Sequence, residues 1–221
     1  MSVKINDRLK SVASLVEDNS KVIDIGCDHA LLSIYLVENK KIDRVIASDN
    51  KSGPLEGAKE NVKKYKVSDK VSVKLGDGIE PLEDDIDTIV ISGMGGMNIV
   101  GILKYKPWLL KNIKSIILSP NTDTDFVRRE ICKLGYYIDD ELLVKDRFIY
   151  PVIRFKKGKK HYKRIEYILG PILLEKKEKI FIEYINYIIE TKKNILGILP
   201  KKYILKRIIL KKELKELNKL V

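Results

Sequence analysis

Between residues 22 and 155 short apolar, β-branched runs alternate with stretches of helical periodicity, and this alternation constrains the fold more than any other feature. The runs predict strands at Val22–Ile25, Arg44–Ser48, Val71–Lys74, Thr88–Ile91, Ser115–Leu118, Tyr136–Val144 and Phe148–Phe155. Helices are predicted between them at Leu31–Glu38, Lys51–Tyr65, Met97–Tyr105 and Asp123–Leu134, with a first one at 7–16 carrying Leu9, Val12, Ala13 and Val16 on one face. A strand with hardly a polar alternate must be buried on both faces, so the pattern implies a mostly parallel sheet covered by helices on either side. Only a short turn at Lys145–Asp146 separates the last two runs, which makes them an antiparallel hairpin at the sheet's end.

With 221 residues the chain is long enough for one such α/β domain and a small appendage. The boundary is expected near the basic, Gly-containing stretch Lys156–Lys160, giving a first domain over 1–157 and a second over 158–221. Past it the pattern is helical. One helix is expected over Leu173–Leu196, with Ile180, Tyr184, Tyr187, Ile188 and Ile195 on a buried face, and a second over Tyr203–Leu220, with Leu210, Leu214 and Leu217 on a stripe. Gly197–Pro200 breaks the pattern between them, so the two form an antiparallel helical hairpin.

Charge divides along the same line. Residues 1–155 hold 24 Lys and Arg against 24 Asp and Glu, whereas 156–221 hold 19 against 7, so the whole net charge of +12 lies in the second part. A basic appendage on a neutral body fits a polyanionic partner such as RNA or DNA, although a Lys-rich surface also serves solubility. There is no apolar run of bilayer-spanning length and no apolar signal core at the N-terminus. Cys27 and Cys132 stand far apart without metal-ligand spacing, and the only histidines are His29 and His161. A cytoplasmic monomer with reduced thiols, no membrane and no metal is expected.

The chemistry-bearing residues fall just after strands. The first strand ends in Asp24-Ile25-Gly26-Cys27-Asp28-His29. This is the position of a nucleotide-binding loop, but Asp28 stands where a second glycine would let a dinucleotide pyrophosphate approach, and a carboxylate there repels phosphate. An acidic loop suits a ligand that lacks phosphates and carries cations, as S-adenosylmethionine does with its sulfonium and ammonium. Asp49, 25 residues after Asp24, ends the second strand, where a carboxylate accepts from ribose hydroxyls. Gly76-Asp77-Gly78 follows the third strand and offers an acceptor to an adenine amino group, or is a simple tight turn. After the fourth, Ser92-Gly93-Met94-Gly95-Gly96 removes side-chain bulk so that a ligand can approach the backbone. After the fifth comes Ser119-Pro120-Asn121-Thr122, where Asn121 can meet a base edge; Arg128 and Arg129 on the next helix are phosphate candidates.

The ordered set D-I-G-C-D-H-A-L-L, S-D-N-x-x-G-P-L, G-D-G, G-M-G-G-M, S-P-N-T, G-Y-Y-I and Y-P-V-I-R-F resembles the bacterial tRNA adenine-22 N1-methyltransferase family over residues ~7 to ~157, and K-R-I-E-Y-I-L-G-P-I-L-L continues it. That family commonly has Thr at the position of Cys27 and Gln at that of Ser119. The resemblance implies a Rossmann-like class I methyltransferase domain with a seven-stranded sheet and one antiparallel strand. It also implies S-adenosylmethionine as cofactor, tRNA as partner, and transfer of a methyl group to N1 of adenine 22 in the D-arm. Cofactor contacts are then expected from Asp24, Gly26, Cys27, Asp28, Ser48, Asp49, Asn50, Gly76, Asp77, Gly78, Ser92, Gly93, Met94 and Gly95. Catalytic candidates are Asp28, which could stabilise the cationic product base or merely hold the cofactor, together with His29 and Asn121. Substrate contacts are expected from Gly96, Asn121, Arg128 and Arg129, and, around the tip of the hairpin, from Lys192, Lys193, Lys201 and Lys202. A methyltransferase on another RNA or protein acceptor, and an RNA-binding module that kept the fold without catalysis, remain as alternatives.

Overall fold

The computed structural model describes residues 2–221. Its elements run α1 (Asp7–Leu15), β1 (Lys21–Ile25), α2 (Leu31–Asn39), β2 (Arg44–Asp49), α3 (Ser52–Lys64), β3 (Val71–Leu75), β4 (Thr88–Ser92), α4 (Gly96–Tyr105), β5 (Ser115–Ser119), α5 (Thr124–Lys133), β6 (Tyr136–Lys145) and β7 (Ile149–Lys157). Four helices close the chain: α6 (Arg164–Leu169), α7 (Pro171–Lys176), α8 (Lys179–Ile198) and α9 (Ile204–Leu217). A 3-10 turn at Pro107–Asn112, not expected from the sequence, leads into β5.

The strands form one sheet in the order β3-β2-β1-β4-β5-β7-β6. All neighbours are parallel except that β7 runs antiparallel to both β5 and β6. Apolar residues at successive positions face opposite ways. Val22, Val90 and Ile117 join the core under α1–α3, while Ile23, Ile89, Ile91, Ile116 and Leu118 join the core under α4 and α5. This two-sided burial is what the unbroken apolar runs require.

The helical part grips the sheet more firmly than a linker at 156–160 implies. Lys156 and Lys157 are the last residues of β7, and α6 and α7 pack against α5 and β6. The grip centres on Arg128, which is fully buried. Its Nε donates to Glu141 Oε1 at 2.7 Å, and its Nη1 to the carbonyls of Tyr167 and Ile168, both at 3.1 Å. Glu141 Oε2 accepts the Ile172 amide at 3.1 Å, at the start of α7. Arg128 therefore cannot meet a phosphate: it spends its donors satisfying carbonyls at the α6 terminus and a buried carboxylate. The helix expected over Leu173–Leu196 is in fact two, broken at Lys177, which adopts a left-handed conformation (φ 46°). Lys176 ties the end of α7 to Asp140, and α8 starts afresh after it. The buried face of α8 is Phe181, Tyr184, Ile185 and Ile189, so Tyr187 and Ile195 look outward instead. In α9, Leu210, Leu214 and Leu217 are buried.

Candidate functional site

The strand order reverses between β1 and β4, and open α/β sheets form a ligand crevice beyond the carboxyl ends of their strands at such a point. A groove of about 820 Å³ lies there. The loop after β1 makes its near wall by an unusual run of left-handed residues, Gly26 (φ 74°), Asp28 (φ 51°) and Ala30 (φ 57°). For the two non-glycines this conformation costs on the order of 1–2 kcal/mol each, a strain that marks functional loops. At Gly26 the positive φ favours glycine, and a Cβ there would also push aside the tip of the Met94 side chain.

The loop is held from the next strand. The amides of Gly26 and Cys27 both donate to the Ser48 carbonyl, at 2.8 and 2.9 Å. Asp49 Oδ2 accepts the Asp28 amide at 3.3 Å, and its Oδ1 accepts the Lys51 amide at 3.0 Å. Asn50 reaches Asp77 Oδ1 at 3.5 Å. Asp28, Asp49 and Asp77, from the loops after β1, β2 and β3, thus line a single groove with Gly76, Gly78, Ser92, Gly93 and Met94. Pro54 and Met97, the one inside S-D-N-x-x-G-P-L and the other closing G-M-G-G-M, add apolar walls together with Ile102, which no motif in the sequence singles out.

A second cavity of about 230 Å³ adjoins the first and shares Gly26, Asp28, Ser92 and Gly93 with it. Asp28 stands at the junction with its side chain 72% exposed, and His29 Nε2 lies 3.8 Å from Asp28 Oδ1. The His29 ring packs over Gly57, where any side chain would collide with it. Asp24 forms the floor: it is buried, accepts a hydrogen bond from Ser33 Oγ at 2.8 Å, and has its carboxyl pKa pushed up to about 6 by burial. Burial also pushes the Cys27 thiol well up, so this cysteine is no thiolate nucleophile.

Arg8 on α1 is a residue that sequence reading missed. Its guanidinium stacks 3.8 Å over the Tyr150 ring, donates to Ser119 Oγ (2.9 Å) and the Ser119 carbonyl (2.6 Å), and reaches Asn121 Oδ1 at 2.7 Å. Asn121 Nδ2 in turn donates to the Gly93 carbonyl at 2.6 Å. One chain of bonds therefore links α1, the β5 loop and the β4 loop. No signal in the sequence marks Arg8, because its partners lie more than 100 positions away.

The expected residues divide as follows. Asp28, Asp49, Asn50, Asp77 and the glycines Gly26, Gly76, Gly78 and Gly93 reach the groove, with Ser92 and Met94. Asp24, Cys27 and His29 line the second cavity. Ser48 acts through its carbonyl, beneath the loop. Gly96 is buried and reaches no open surface: a Cβ there would meet the Thr122 carbonyl and Val127, so its role is to let the β4 and β5 loops touch. Arg128 is excluded by the burial described above, whereas Arg129 is exposed beside Asp125 (3.7 Å). Lys192 is only 14% exposed and paired with Glu213 at 2.8 Å, which removes it from the free tip; Lys193, Lys201 and Lys202 are exposed. Among the described residues no cluster of three metal-ligating side chains occurs, and no helix is long and apolar enough to cross a membrane.

Residues 22–219 match the protein family described as tRNA (adenine(22)-N(1))-methyltransferase. The chain belongs to this family. A tRNA (adenine(22)-N(1))-methyltransferase of Bacillus subtilis is 33% identical over 189 residues, 82% of this chain and 79% of its own. A Streptococcus pneumoniae structure, a putative tRNA (m1A22) methyltransferase in complex with S-adenosyl-L-methionine, superposes with a TM-score of 0.88 at 27% identity, covering 98% of this chain and 99% of that one. The M. capricolum TrmK in complex with S-adenosyl-homocysteine gives 0.83 at 28% identity, over 98% and 97%. The groove residues all fall within the span matched to the family, while Arg8 precedes it.

Proposed function

We infer that the chain methylates N1 of adenine 22 in tRNA with S-adenosylmethionine as donor, and that it does so as a monomer in the cytoplasm. The observation that carries this reading is the set of three carboxylates, Asp28, Asp49 and Asp77, lining one groove that opens at Asp28 into a second cavity. In this reading Asp49 accepts from ribose hydroxyls, Asp77 from an adenine amino group beside Ile102, and Asp24 faces the ammonium end. These residue types fit a cationic nucleoside without phosphates. When bound, S-adenosylmethionine supplies an electrophilic methyl group, which the lone pair of adenine N1 accepts without prior deprotonation.

The chain's own work is positioning and charge stabilisation. Asp28, at the junction of the two cavities, stabilises the positive charge that the target base acquires. His29 orients the Asp28 carboxylate, and Asn121, fixed between Arg8 and the Gly93 carbonyl, shapes the mouth through which the base enters. Because N1 is sealed in a base pair within duplex RNA, the target base must be unpaired or extruded. The test is mass spectrometry of tRNA nucleosides after incubation with isotope-labelled S-adenosylmethionine. Labelled 1-methyladenosine mapped to position 22 is expected; label on another base or on protein overturns the reading. Sedimentation of the free protein tests the monomer.

A further inference from the structure

A third cavity, of about 370 Å³, lies on the other side of Asn121, between α8 and the turn that joins β6 to β7. Asn121 lines it with its neighbours Thr122 and Asp123, and the bond from Asn121 Nδ2 to the Gly93 carbonyl ties this wall to a residue that lines both other cavities. Its opposite wall is aromatic. Phe148 and Tyr187 are 46% and 43% exposed, with ring centroids 6.2 Å apart and planes tilted by 41°. They lean together without stacking, and each keeps close to half of its surface open to water. Tyr150 completes the set, one face already covered by the Arg8 guanidinium.

Large rings gathered around an open cavity are costly in water unless something flat covers them. A nucleobase has that shape, and aromatic side chains are the usual platforms for unstacked bases. The other features of the cavity suit a nucleotide better than an apolar helix from a protein. Its inner wall offers Asn121 and Asp123, which can bond a base edge. Beside the cavity the exposed Arg147 guanidinium lies over the Phe148 ring, 5.5 Å from its centroid, and is free to turn to a phosphate. Extruding an adenine into the active site also deprives its neighbour of a stacking partner.

We propose that this cavity is a second nucleobase subsite, taking the base of one nucleotide that flanks the methylated adenine and stacking it on Tyr187 and Phe148. The proposal rests on the tRNA reading above and extends it: recognition includes a second unstacked base, read at the junction of the sheet domain and the helical domain.

The experiment is a double-mutant cycle between protein and tRNA. Tyr187→Leu and Phe148→Leu keep apolar volume but remove the ring, and Tyr187→Trp keeps a ring. Each is titrated against tRNA and against tRNAs carrying a single abasic nucleotide on either side of the target or at the target itself. The leucine variants should lose roughly five- to a hundredfold in tRNA affinity. Tyr187→Trp should restore it, and S-adenosylmethionine affinity should stay as in the unaltered protein. One flanking abasic tRNA should show the same loss, with no further loss when combined with Tyr187→Leu. Additive losses at every nucleotide, or none, overturn the proposal. Coupling to the target adenine itself also overturns it, by making this cavity the target pocket. A dimer of the free protein that Tyr187→Leu dissolves would reassign the cavity to self-association. Failure of the unaltered protein to methylate tRNA would instead sink the functional reading, so the two failures are distinct.

Discussion

Asp24 is a carboxylate whose buried environment disagrees with its charge. Its pKa of about 6, against about 3.9 in an unfolded chain, means that between pH 4 and 6 the folded protein holds a proton that the unfolded chain has released. Stability from this residue is therefore greatest below pH 4 and is lost as pH rises through 6, with a loss of up to ~3 kcal/mol at neutral pH. Asp24→Asn, which can still accept from Ser33, should raise the unfolding free energy at pH 7 and leave it unchanged at pH 3.5; equal effects at both pH values in denaturant titrations would refute the assignment. A bound ammonium reverses the balance by favouring the carboxylate. S-adenosylmethionine affinity in the unaltered protein should then fall about tenfold per pH unit below 6, and Asp24→Asn should abolish that dependence in calorimetric titrations. Asp49 differs, because each of its oxygens accepts one amide, of Asp28 or of Lys51, and keeps a second lone pair for another donor. Asp49→Ala should cost about ten- to a hundredfold in S-adenosylmethionine affinity, since a charge-assisted bond contributes ~1.5–3 kcal/mol and the loop after β1 loses its strap. Unchanged affinity in a folded variant would remove Asp49 from the site. Asp28→Asn should leave binding nearly intact and slow the single-turnover methylation rate; the reverse pattern would make Asp28 a binding residue only.

At the scale of elements, the central strands were legible because the apolar runs of β1, β2, β4 and β5 are buried on both sides. The acidic ends of β1, β2 and β3 were legible for a related reason: a carboxylate just beyond a buried strand has few roles. What was hidden depended on partners distant in sequence. Arg128 and Arg129 are indistinguishable neighbours until Glu141 and the α6 carbonyls close over the first. The break at Lys177 carries no glycine or proline to announce it, since α7 is held down by Glu141 and Asp140 rather than stopped by its own residues. Tyr187 sits on an apolar stripe whose true buried face is turned from the one its spacing suggested. The clasp makes its own prediction. Removing one member of a buried ion pair strands the other, at a cost of about 3–5 kcal/mol, whereas replacing both with apolar residues of similar size costs far less. Arg128→Met should thus destabilise the protein severely, and Arg128→Met with Glu141→Leu should recover part of the loss, although the α6 carbonyls stay unsatisfied. A double variant no more stable than the single one in urea titrations would show that those carbonyls, not the charge pair, are the point of the clasp.

For the whole molecule the question is how a neutral sheet domain holds a polyanion. All of the net positive charge lies beyond residue 155, and the turn between α8 and α9 presents part of it on a fixed frame. Arg207 pins that turn by donating to the carbonyls of Leu196 (2.9 Å) and Leu199 (2.5 Å), leaving Lys201 and Lys202 exposed at its tip. Deleting 158–221 would be a poor test of their role, because it removes the carbonyls that Arg128 satisfies and uncovers the α5–β6 face. Reversing Lys192 would be little better, as it would set a carboxylate against Glu213. Reversing Lys193, Lys201 and Lys202 to Glu touches only exposed side chains; the one ion pair involved, Lys193 with Glu190, is a surface pair that adds little stability. If the tip binds phosphates, tRNA affinity at low salt should fall by tenfold or more. The slope of log affinity against log salt should also become shallower by about 0.7–0.9 for each phosphate that the tip no longer neutralises. S-adenosylmethionine affinity and thermal stability should not move, since none of the three lysines lines the groove or the second cavity. Anisotropy titrations of labelled tRNA at several salt concentrations measure both quantities. A slope equal to that of the unaltered protein would mean that the tip's charge only keeps the protein in solution, and that the phosphates are held elsewhere on the basic helices.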